Sequence, residues 1–263
     1  MSDLLRAVER IAAARRGVAF TGAGISAESG ISTYRDPGGL WDRYGNQGML
    51  AVLADRPDQA PQILGEFFTR LEAARPNPAH AALARLEQMG HIRAVITQNV
   101  DNLHREAGSA TVYELHGNLY RLRCMACGRK RPVERAAFFD MMRGVLLQVK
   151  EFSLAGFARH LPRCECGGLT RSDFVSFGEA VQDLPQATAA ARECDLMLIV
   201  GTSGVVYPAA ALPGMAKSAG ASLIEINARE SELTPACDLS IRAPAGEVLP
   251  QILEGLEQRL GAE

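Results

Sequence analysis

Two closely spaced pairs of cysteines lie near the middle of the 263-residue chain, as Cys124-x-x-Cys127 and Cys164-x-Cys166. Glycine follows each pair, so each turn can direct its backbone amides towards sulfur. Four thiolates complete a tetrahedral zinc site and leave no open position for a catalytic water. We therefore predict one structural zinc ion, which would replace the core that roughly 50 residues cannot build alone.

The spacing of these cysteines leaves alternatives open. The second pair has one spacer residue, and 36 residues separate Cys127 from Cys164, more than in a common zinc ribbon. His160 could replace one cysteine, and a module without metal is the other alternative. Cys194 and Cys237 follow no ligand spacing, and we interpret them as inert, partly buried thiols. No secretory signal is recognised, so a disulfide framework is not expected.

A glycine-rich loop at 22–27 follows the apolar run VAF and matches the G-x-G-x-x-A turn of dinucleotide-binding folds. The loop and its continuation also carry Ser26, Tyr34 and Arg35, which a passive phosphate cradle does not need. These residues leave two interpretations open: a segment that only holds a nucleotide, and one that takes part in breaking it.

Polar side chains follow the apolar strand RAVI in the stretch TQNVDNLH at 97–104. Gln98, Asn99 and Asp101 offer amide and carboxylate groups suited to ribose hydroxyls and a carboxamide. The alternative is that Asn99 or Asp101 caps a helix. Capping explains one such residue better than three in close succession, so ligand contact is favoured.

His116 follows a short strand and precedes Gly117, immediately ahead of the first cysteine pair. A histidine with a pKa near neutrality can take a proton from a hydroxyl, although a structural histidine in a hinge is the alternative. Two further strand ends carry small polar residues, in the turn GTSG at 201–204 and at Asn227. These residues can receive phosphate or ribose oxygens, or they can form ordinary turns.

Short apolar runs alternate with helical stretches along the chain. The predicted strands are 17–20, 93–97, 111–114, 195–200, 221–226 and 238–241. The predicted helices are 3–15, 58–74, 78–90, 180–193, 208–219 and 246–259. Near-continuous apolar strands between helices indicate a parallel sheet covered on both faces. The predicted fold class is therefore α/β, a Rossmann-like doubly wound sheet whose ligand lies at the carboxyl ends of the strands.

Two segments interrupt this alternation. Residues 34–57 show no clean periodicity and are predicted to form a long loop, while 118–172 form a small inserted zinc-binding module with an irregular middle. The predicted domains are a discontinuous Rossmann-like domain, a cofactor loop with a helical insertion, and the zinc-binding module. The Rossmann-like domain comprises 1–35, 78–117 and 173–260. The cofactor loop with its helical insertion comprises 36–77, and the zinc-binding module comprises 118–172.

The charge and hydropathy patterns exclude several classes of function. A formal net charge of −2 gives no electrostatic footprint for nucleic acid or an anionic membrane. The longest apolar runs are far too short to span a bilayer. The N-terminal amphipathic stretch could be mistaken for a transit peptide, but Asp3 and Glu9 favour a surface helix. We therefore expect a cytoplasmic protein that binds neither nucleic acid nor membrane.

Taken together, the motifs resemble the sirtuin family of NAD-dependent protein-lysine deacylases. The similar stretches include GAGISAESGI, YRDPGGLW, TQNVDNLH, ELHGNLYRLRC, both cysteine pairs, FGE, GTSGVVYPAA and IEIN, in family order from about residue 18 to 250. The resemblance implies a Rossmann-like domain, a zinc module and a cleft between them. It also implies NAD as a consumed co-substrate and one structural zinc held by the four cysteines.

By resemblance, the pyrophosphate cradle and adjoining ribose contacts are Gly22, Ala23, Gly24 and Ser26. Arg35 would contact phosphate, and Tyr34 would stand beside the bond that breaks. Gln98 and Asn99 would contact the nicotinamide ribose, with Asn99 also counted as catalytic, and Asp101 with Ile25 would hold the carboxamide. The residues assigned to the adenosine half and its surroundings are Gly201, Thr202, Ser203, Asn227 and Ala245.

The resemblance also implies the course of the reaction. Nicotinamide leaves the ribose as the acyl oxygen of the substrate lysine attacks the same carbon, and His116 acts as the general base on a ribose hydroxyl. The products would be free lysine, nicotinamide and O-acyl-ADP-ribose. The acyl-lysine protein or peptide would bind as an extended strand. The implied substrate-binding residues are Val175, Phe177, Gly178, Glu179, Val205 and Val206.

The chain departs from the family pattern at two places that bear on the substrate. Desuccinylase-like members bind an acidic acyl group with a Tyr-x-x-Arg pair, whereas this sequence has Phe68 and Leu71 at those positions. We therefore expect acetyl or longer apolar acyl groups to be preferred, with Arg70 one position away from the arginine site. The segment RSDFVSFGE at 171–179 also differs from the frequent Pro-Asp-Val-Val form.

Three other functions compete with deacylation. An ADP-ribosyltransferase or an NADase would use the same pocket with another nucleophile, and a regulator would only sense NAD. A hydride-transferring dehydrogenase fits least, because its usual acidic residue would fall near Asp42 in the aromatic loop rather than at a strand end.

Overall fold

The computed structural model describes residues 2–31, 49–148 and 153–260. Its central sheet has six strands in the order β3-β2-β1-β7-β8-β9, and every neighbouring pair is parallel. Strand order reverses between β1 and β7, which makes their carboxyl ends the topological switch point. The strands of this sheet are β1 (Gly17–Thr21), β2 (Ile92–Thr97), β3 (Val112–Glu114), β7 (Leu196–Val200), β8 (Ser222–Ile226) and β9 (Leu239–Ile241).

Helices cover both faces of this sheet, which confirms the predicted doubly wound α/β fold. Every residue of β1 and of β7 is buried, because both strands lie between helical layers. The helices of this domain are α1 (Asp3–Ala13), α4 (Pro78–Gln88), α5 (Leu103–Glu106), α8 (Leu184–Glu193), α9 (Leu212–Ser218) and α10 (Ala245–Leu260). Within the described residues, no helix combines the length and apolarity needed to cross a bilayer.

The cysteine-containing module has its own three-stranded antiparallel sheet, in the order β5-β4-β6. Its strands are β4 (Gly117–Cys124), β5 (Lys130–Pro132) and β6 (Thr170–Phe174), and its helices are α6 (Arg135–Gln148) and α7 (Leu154–Arg159). Phe138 and Phe139 of α6 pack edge-on around Tyr120 of β4 and form the centre of a small core. Helices α2 (Met49–Asp55) and α3 (Ala60–Ala73) adjoin this core.

The module leaves and rejoins the larger domain through two neighbouring strands. Gly117 of β4 pairs with Phe174 of β6, and the amide of Val175 donates to the carbonyl of His116 at 2.8 Å. The boundary expected between 172 and 173 therefore falls inside β6. Any movement of the module must act on the backbone of His116.

The structure corrects several element predictions. Residues 49–55 form helix α2 within the segment expected to be a loop, and α6 occupies the expected irregular middle of the module. The buried positions Phe138, Met142 and Val145 of α6 recur at helical spacing, which is the signal that was missed. The helix expected over 208–219 is a 3₁₀ turn at Ala209–Ala211 followed by α9.

Candidate active site

The glycine loop after β1 packs directly against the turn after β7. The amide of Gly24 donates to the carbonyl of Gly201 at 2.7 Å. A Cβ on Gly22 would lie 2.8 Å from Cβ of Thr202, and one on Gly24 would lie 2.7 Å from Cα of Gly201. Only glycine permits this approach, and the resulting cradle suits a ligand that must come close to the backbone.

The continuation of this loop is a 3₁₀ turn, Ala23–Ser29, which ends at Gly30 with φ of 85°. Ile25 and Ser26 are buried within it. Tyr34 and Arg35, which the sequence assigned to the ligand, lie outside the described residues.

Ser26, Asn99 and Asp101 form one hydrogen-bonded group below the cradle. The Ser26 hydroxyl donates to Oδ2 of Asp101 at 2.7 Å, and Nδ2 of Asn99 donates to Oγ of Ser26 at 3.1 Å. Asn99 also donates to the carbonyl of Gly22 at 3.2 Å, which ties the strand end of β2 to the glycine loop. Burial raises the pKa of the Asp101 carboxyl, which is 5% exposed.

Asp101 precedes the N-cap of α5, which is Asn102, and the helix has no side-chain cap. Oδ1 of Asp101 accepts from the amide of Leu103 at 3.0 Å, a local bond that closes the turn ahead of the helix. Its Oδ2 faces Ser26, so one carboxylate both holds this turn and belongs to the polar group. Asn99 makes no such cap, and its side chain points to the glycine loop.

His80 joins this group although the sequence analysis did not single it out. Its Nε2 lies 3.4 Å from Oγ of Ser26, and its ring is held at the start of α4 by a capping box with Asn77. Asn77 in turn donates to the carbonyl of Ile25 at 2.7 Å. Burial lowers the pKa of His80 to about 4, so the ring is neutral at physiological pH. The sequence signal for His80 is the stretch NPAH at 77–80, in which a polar ring stands among small residues at the third position of the helix.

A second buried histidine, His104 of α5, lies against His80 with ring centroids 4.9 Å apart and ring planes tilted by 60°. Its Nε2 lies 2.9 Å from Oγ1 of Thr21, which donates to Oγ1 of Thr97. Burial lowers the pKa of His104 well below its usual value. Thr21 and Thr97 are paired at the ends of β1 and β2, so this chain of hydrogen bonds links the two strand ends to His104 under the site.

His116 lies at the opposite side of the cleft floor, just beyond β3. Its Nδ1 lies 2.8 Å from the carbonyl oxygen of Gln98. A carbonyl can only accept, so Nδ1 carries the proton and Nε2 keeps its lone pair. Burial lowers the pKa of His116, partly opposed by this hydrogen bond. Nε2 of Gln98 donates to Oγ1 of Thr202 at 2.8 Å, which links the histidine to the turn after β7.

The remaining residues assigned to the cofactor lie along the same sheet edge. Asn227, directly after β8, donates from Nδ2 to the carbonyl of Thr202 at 2.7 Å. The carbonyl of Ser203 accepts from the amide of Glu232 at 3.1 Å. Ala245 begins α10 and is 5% exposed, next to Gly246, whose amide donates to Glu28 at 2.7 Å.

The segment assigned to the substrate begins at the histidine. Val175 pairs with the backbone of His116, and Phe177 follows with 72% of its surface exposed. Gly178 has φ of 86°, a conformation that favours glycine. The Glu179 carboxylate, on a side chain that is 36% exposed, is held by Arg171 at 2.5 Å. Val205 and Val206 are half-buried beyond the turn at 201–204.

The four paired cysteines converge in the module. Their sulfur atoms all lie within 4.8 Å of one another, with Cys124 and Cys166 at 3.6 Å and Cys127 and Cys164 at 3.7 Å. A tetrahedral site with zinc–sulfur bonds of about 2.3 Å requires sulfur separations close to these. A Cβ on Gly168 would lie 2.8 Å from Sγ of Cys124, so glycine is needed beside the sulfurs.

The donor set therefore fits structural zinc. Hydrogen bonds from the amides of Cys127 and Ala126 lower the pKa of Cys124 to about 6, which favours the thiolate that zinc binds. His160 is not part of the cluster that the described residues form. Cys194 and Cys237 lie elsewhere, and burial raises the pKa of their thiols to about 11 and about 12. Both remain protonated at neutral pH, in keeping with the inert-thiol interpretation.

The two positions at which the sequence analysis expected the acyl preference to be set are occupied by packed apolar side chains. Phe68 of α3 packs edge-on against Phe138 with ring centroids 5.8 Å apart. Leu71 is 2% exposed and belongs to the core of the module. Neither side chain supplies a hydroxyl or a guanidinium.

Comparison with known proteins places these features in a family context. The model of the Sir2 family matches residues 22–208. An NAD-dependent protein deacylase of Desulfosudis oleivorans is 46% identical over 259 residues, covering 96% of this chain and 95% of the relative. A relative of the same description from Pyrococcus furiosus is 45% identical over 255 residues, covering 94% of this chain and 96% of its own.

Solved structures show the same similarity. The structure of a Sir2 homologue with NAD superposes with a TM-score of 0.79 at 37% identity, covering 97% of this chain and 94% of that one. A Sir2 structure with a deacetylated p53 peptide and 3′-O-acetyl ADP-ribose gives a TM-score of 0.78 at 32% identity, covering 95% and 97%.

Proposed function

The chain belongs to the Sir2 family and is an NAD-dependent protein deacylase, and we propose how its own residues carry that reaction. The observation that carries the proposal is the position of His116. Its Nδ1 is satisfied by Gln98 and its Nε2 lone pair is free to accept a proton at the carboxyl edge of the sheet.

NAD would be received by the cradle that the two glycine-bearing turns form. The close contact between Gly22, Gly24 and the turn at Gly201 leaves a backbone surface without side chains at the switch point, where a pyrophosphate can approach. Asn227 and Ser203 border the same edge on the far side of β7 and would face the adenosine half. Ala245 lies beside Gly246, whose amide is tied to Glu28 of the glycine loop.

The buried group of Ser26, Asn99 and Asp101 would hold the nicotinamide end. Asp101 offers a carboxylate oxygen to a carboxamide N–H, and Ile25 supplies an apolar wall. Hydrogen bonds among Ser26, Asn99 and Asp101 already fix these three side chains, so little reorganisation is required on binding. Ligand contacts that strengthen as the glycosidic bond stretches would accelerate its cleavage.

His116 would act after that bond is broken. Its neutral Nε2 would take a proton from a ribose hydroxyl, which would then attack the acyl carbon. The bond from that carbon to the lysine nitrogen would break with release of the amine, and water would supply the remaining oxygen, so that the acyl group ends on ADP-ribose. General-base assistance of this kind contributes about 10²–10⁴-fold to a rate. The backbone of Gln98 would hold the imidazole tautomer throughout.

The acyl-lysine substrate would bind as an extended strand between the 177–179 segment and the 204–206 turn. Exposed Phe177 and the half-buried Val205 and Val206 offer apolar surface for the lysine stem. Backbone pairing carries little sequence information, so we expect broad target choice. A net charge of −2 favours a peptide over nucleic acid as the partner.

One experiment tests the proposal against its competitors. The protein is incubated with NAD and an acetyl-lysine peptide, and the products are followed by mass spectrometry. O-acetyl-ADP-ribose formed only with peptide supports deacylation, whereas peptide-independent nicotinamide release would indicate an NADase, and ADP-ribosylated protein a transferase.

A variant pair tests the assigned base. His116→Ala should bind NAD normally and lose deacylation by about 10²–10⁴-fold. His160→Ala removes an exposed histidine of the module and serves as the matched control. Normal turnover by His116→Ala would overturn the assigned mechanism.

A further inference from the structure

A continuous set of ion pairs joins the strand before His116 to the segment after the zinc-binding module. It begins at Glu114 of β3, passes through Arg121 of β4 to Asp173 of β6, and ends at Glu179 of the substrate segment. Glu179 belongs to the proposed substrate segment, and the other residues of the set have no role in the deacylation steps described above. The set therefore calls for an explanation of its own.

The inner end of the set lies in the Rossmann-like domain. Glu114 is 3% exposed and accepts from Nη1 of Arg121 at 3.0 Å. Nδ2 of Asn118 also donates to Glu114 at 2.6 Å and to Asn102 at 2.8 Å. Glu114 is only two residues from His116, so these contacts fix the backbone that carries the proposed base.

The centre of the set is a carboxylate with no exposed surface. Asp173 accepts from Nε of Arg121 at 2.7 Å, from Nζ of Lys130 at 3.1 Å and from Nε2 of Gln182 at 2.8 Å. Burial would raise the pKa of Asp173, but these donors outweigh it and hold the pKa below its ordinary value. One guanidinium, that of Arg121, thus bridges a carboxylate of each domain.

The outer end of the set holds the segment that would bind the peptide. Nη2 of Arg123 lies 3.3 Å from Glu179, and Arg171 contacts the same carboxylate at 2.5 and 2.6 Å. Glu179 also accepts from the amide of Ser176 at 3.1 Å, which closes the turn around Phe177. The conformation of this turn is therefore set by cations of the module's own strands.

Removing one member of a buried ion pair is costly because the other charge is left without a partner. Arg121 is the cation that Glu114 and Asp173 share, so its loss removes one charged donor from each carboxylate and breaks the link between them, while Arg105 stays on Glu114 at 3.2 Å and Lys130 on Asp173 at 3.1 Å. The strands β4 and β6 could then shift against β3, and the amide of Val175 would lose its fixed position on the carbonyl of His116.

We propose that Arg121 is a positioning residue that holds the peptide-binding segment 175–179 in register with His116. The catalytic part of this inference, the effect of Arg121 on deacylation, rests on the proposed function. The mechanical part, the tie between the module and the backbone of His116, is independent of the reaction.

The test compares Arg121→Met and Arg121→Lys with a matched control, Arg143→Met. Arg143 of α6 pairs with Glu72 of α3 at 2.7 Å, but both side chains are half-exposed and distant in sequence from the cleft strands. We expect Arg121→Met to raise KM for the acyl-peptide and lower kcat/KM about tenfold or more. The Kd for NAD and the zinc content should stay within about twofold of wild type.

The conservative variant adds a second readout. Arg121→Lys restores one charge but cannot reach both carboxylates in forked geometry, so kcat/KM should lie between those of Arg121→Met and wild type. Arg143→Met should match wild type. A folded, zinc-loaded Arg121→Met protein with kcat/KM within about twofold of Arg143→Met would overturn the proposal.

Hydrogen exchange distinguishes this proposal from the proposed function. In Arg121→Met, amides of 173–179 should exchange faster while those of β1 remain protected, whether or not the wild type deacylates peptides. If Arg121→Met does not fold, Arg121→Lys replaces it in this experiment, since that change keeps one charge but removes the forked contact with both carboxylates. Unchanged exchange at 175–179 in the folded variant would reject the positioning role.

Discussion

The carbonyl oxygen of Gln98 accepts a hydrogen bond from Nδ1 of His116 at 2.8 Å. The amide of the same glutamine donates to Thr21 at 3.0 Å, and its side chain donates to Thr202 at 2.8 Å. One residue therefore ties the ends of β1, β2 and β7 to the histidine. The contacts of Gln98 therefore fix both the tautomer of His116 and its position at the switch point.

This relationship predicts the pH dependence of deacylation. His116 must be neutral to accept a proton, and burial lowers its pKa below the ordinary value. Activity should therefore fall as pH falls through that lowered pKa, so the acidic limb of kcat/KM should lie below about pH 6.5. The measurement is kcat/KM for an acetyl-peptide against pH, with NAD saturating. A limb at or above pH 6.5 would contradict the prediction.

Asp101→Asn should weaken the step that releases nicotinamide. The substitution replaces one carboxylate oxygen by an amide nitrogen, so either Ser26 or the amide of Leu103 loses its acceptor. Hydrogen bonds to charged groups are worth about 1.5–3 kcal/mol, and we expect nicotinamide exchange to slow by about 10–100-fold. Exchange is followed with labelled nicotinamide in the presence of acyl-peptide.

The matched control for this variant is Asp140→Asn, an exposed carboxylate on α6. It should exchange nicotinamide as wild type does. Equal rates for the two variants would remove Asp101 from the nicotinamide site.

Loss of zinc should abolish activity because it changes the shape of the cleft. The cysteines hold the end of β4 to the segment before β6, and these two strands flank His116 and Val175. Cys127→Ser should release the metal, loosen the module core around Phe138 and stop deacylation, while NAD binding persists. Zinc content, hydrogen exchange of α6 and NAD affinity are measured together.

His160→Ala is the control for the metal, because His160 lies outside the sulfur cluster that the structure describes. It should keep both zinc and activity. A zinc-free Cys127→Ser protein that deacylates normally would show that the metal has no structural role.

Acetyl-lysine should be a better substrate than succinyl-lysine. Phe68 and Leu71 offer no donor to a second carboxylate, and leaving that charge unpaired costs about 2–5 kcal/mol. We expect kcat/KM to favour acetyl over succinyl by at least about tenfold on the same peptide, with myristoyl-lysine as the apolar comparison. Faster turnover of the succinyl-peptide would refute the assignment.

Much of the fold could be predicted because its signals are local. The apolar runs at 17–20 and 195–200 are strands buried on both faces, and their composition alone excludes a half-exposed sheet. The glycines at 22 and 24 were recognised from spacing, and their lack of a side chain is required by the turn at Gly201. The cysteine pairs were predicted as metal ligands because of their spacing and because thiolates bind zinc.

Other features could not be predicted from any local pattern. Helix α6 was missed because a cysteine-rich context favoured an irregular module, although Phe138 and Met142 carry helical spacing. His80 lies 54 positions from Ser26 in the chain, and nothing near it in sequence indicates that partner. The bridge from Arg121 to both Glu114 and Asp173 joins three separate strands.

The sequence by itself determined the alternation of strands and helices, the glycine turn, the two cysteine pairs as candidate metal ligands and the candidate base. These properties follow from side-chain type and spacing within one segment. The tertiary structure alone decided the tautomer of His116, the shifted pKa values of Asp101 and His80, and the charge set that holds the substrate segment. Each depends on burial and on distances of about 3 Å between residues far apart in the chain, which only the packed fold brings within reach.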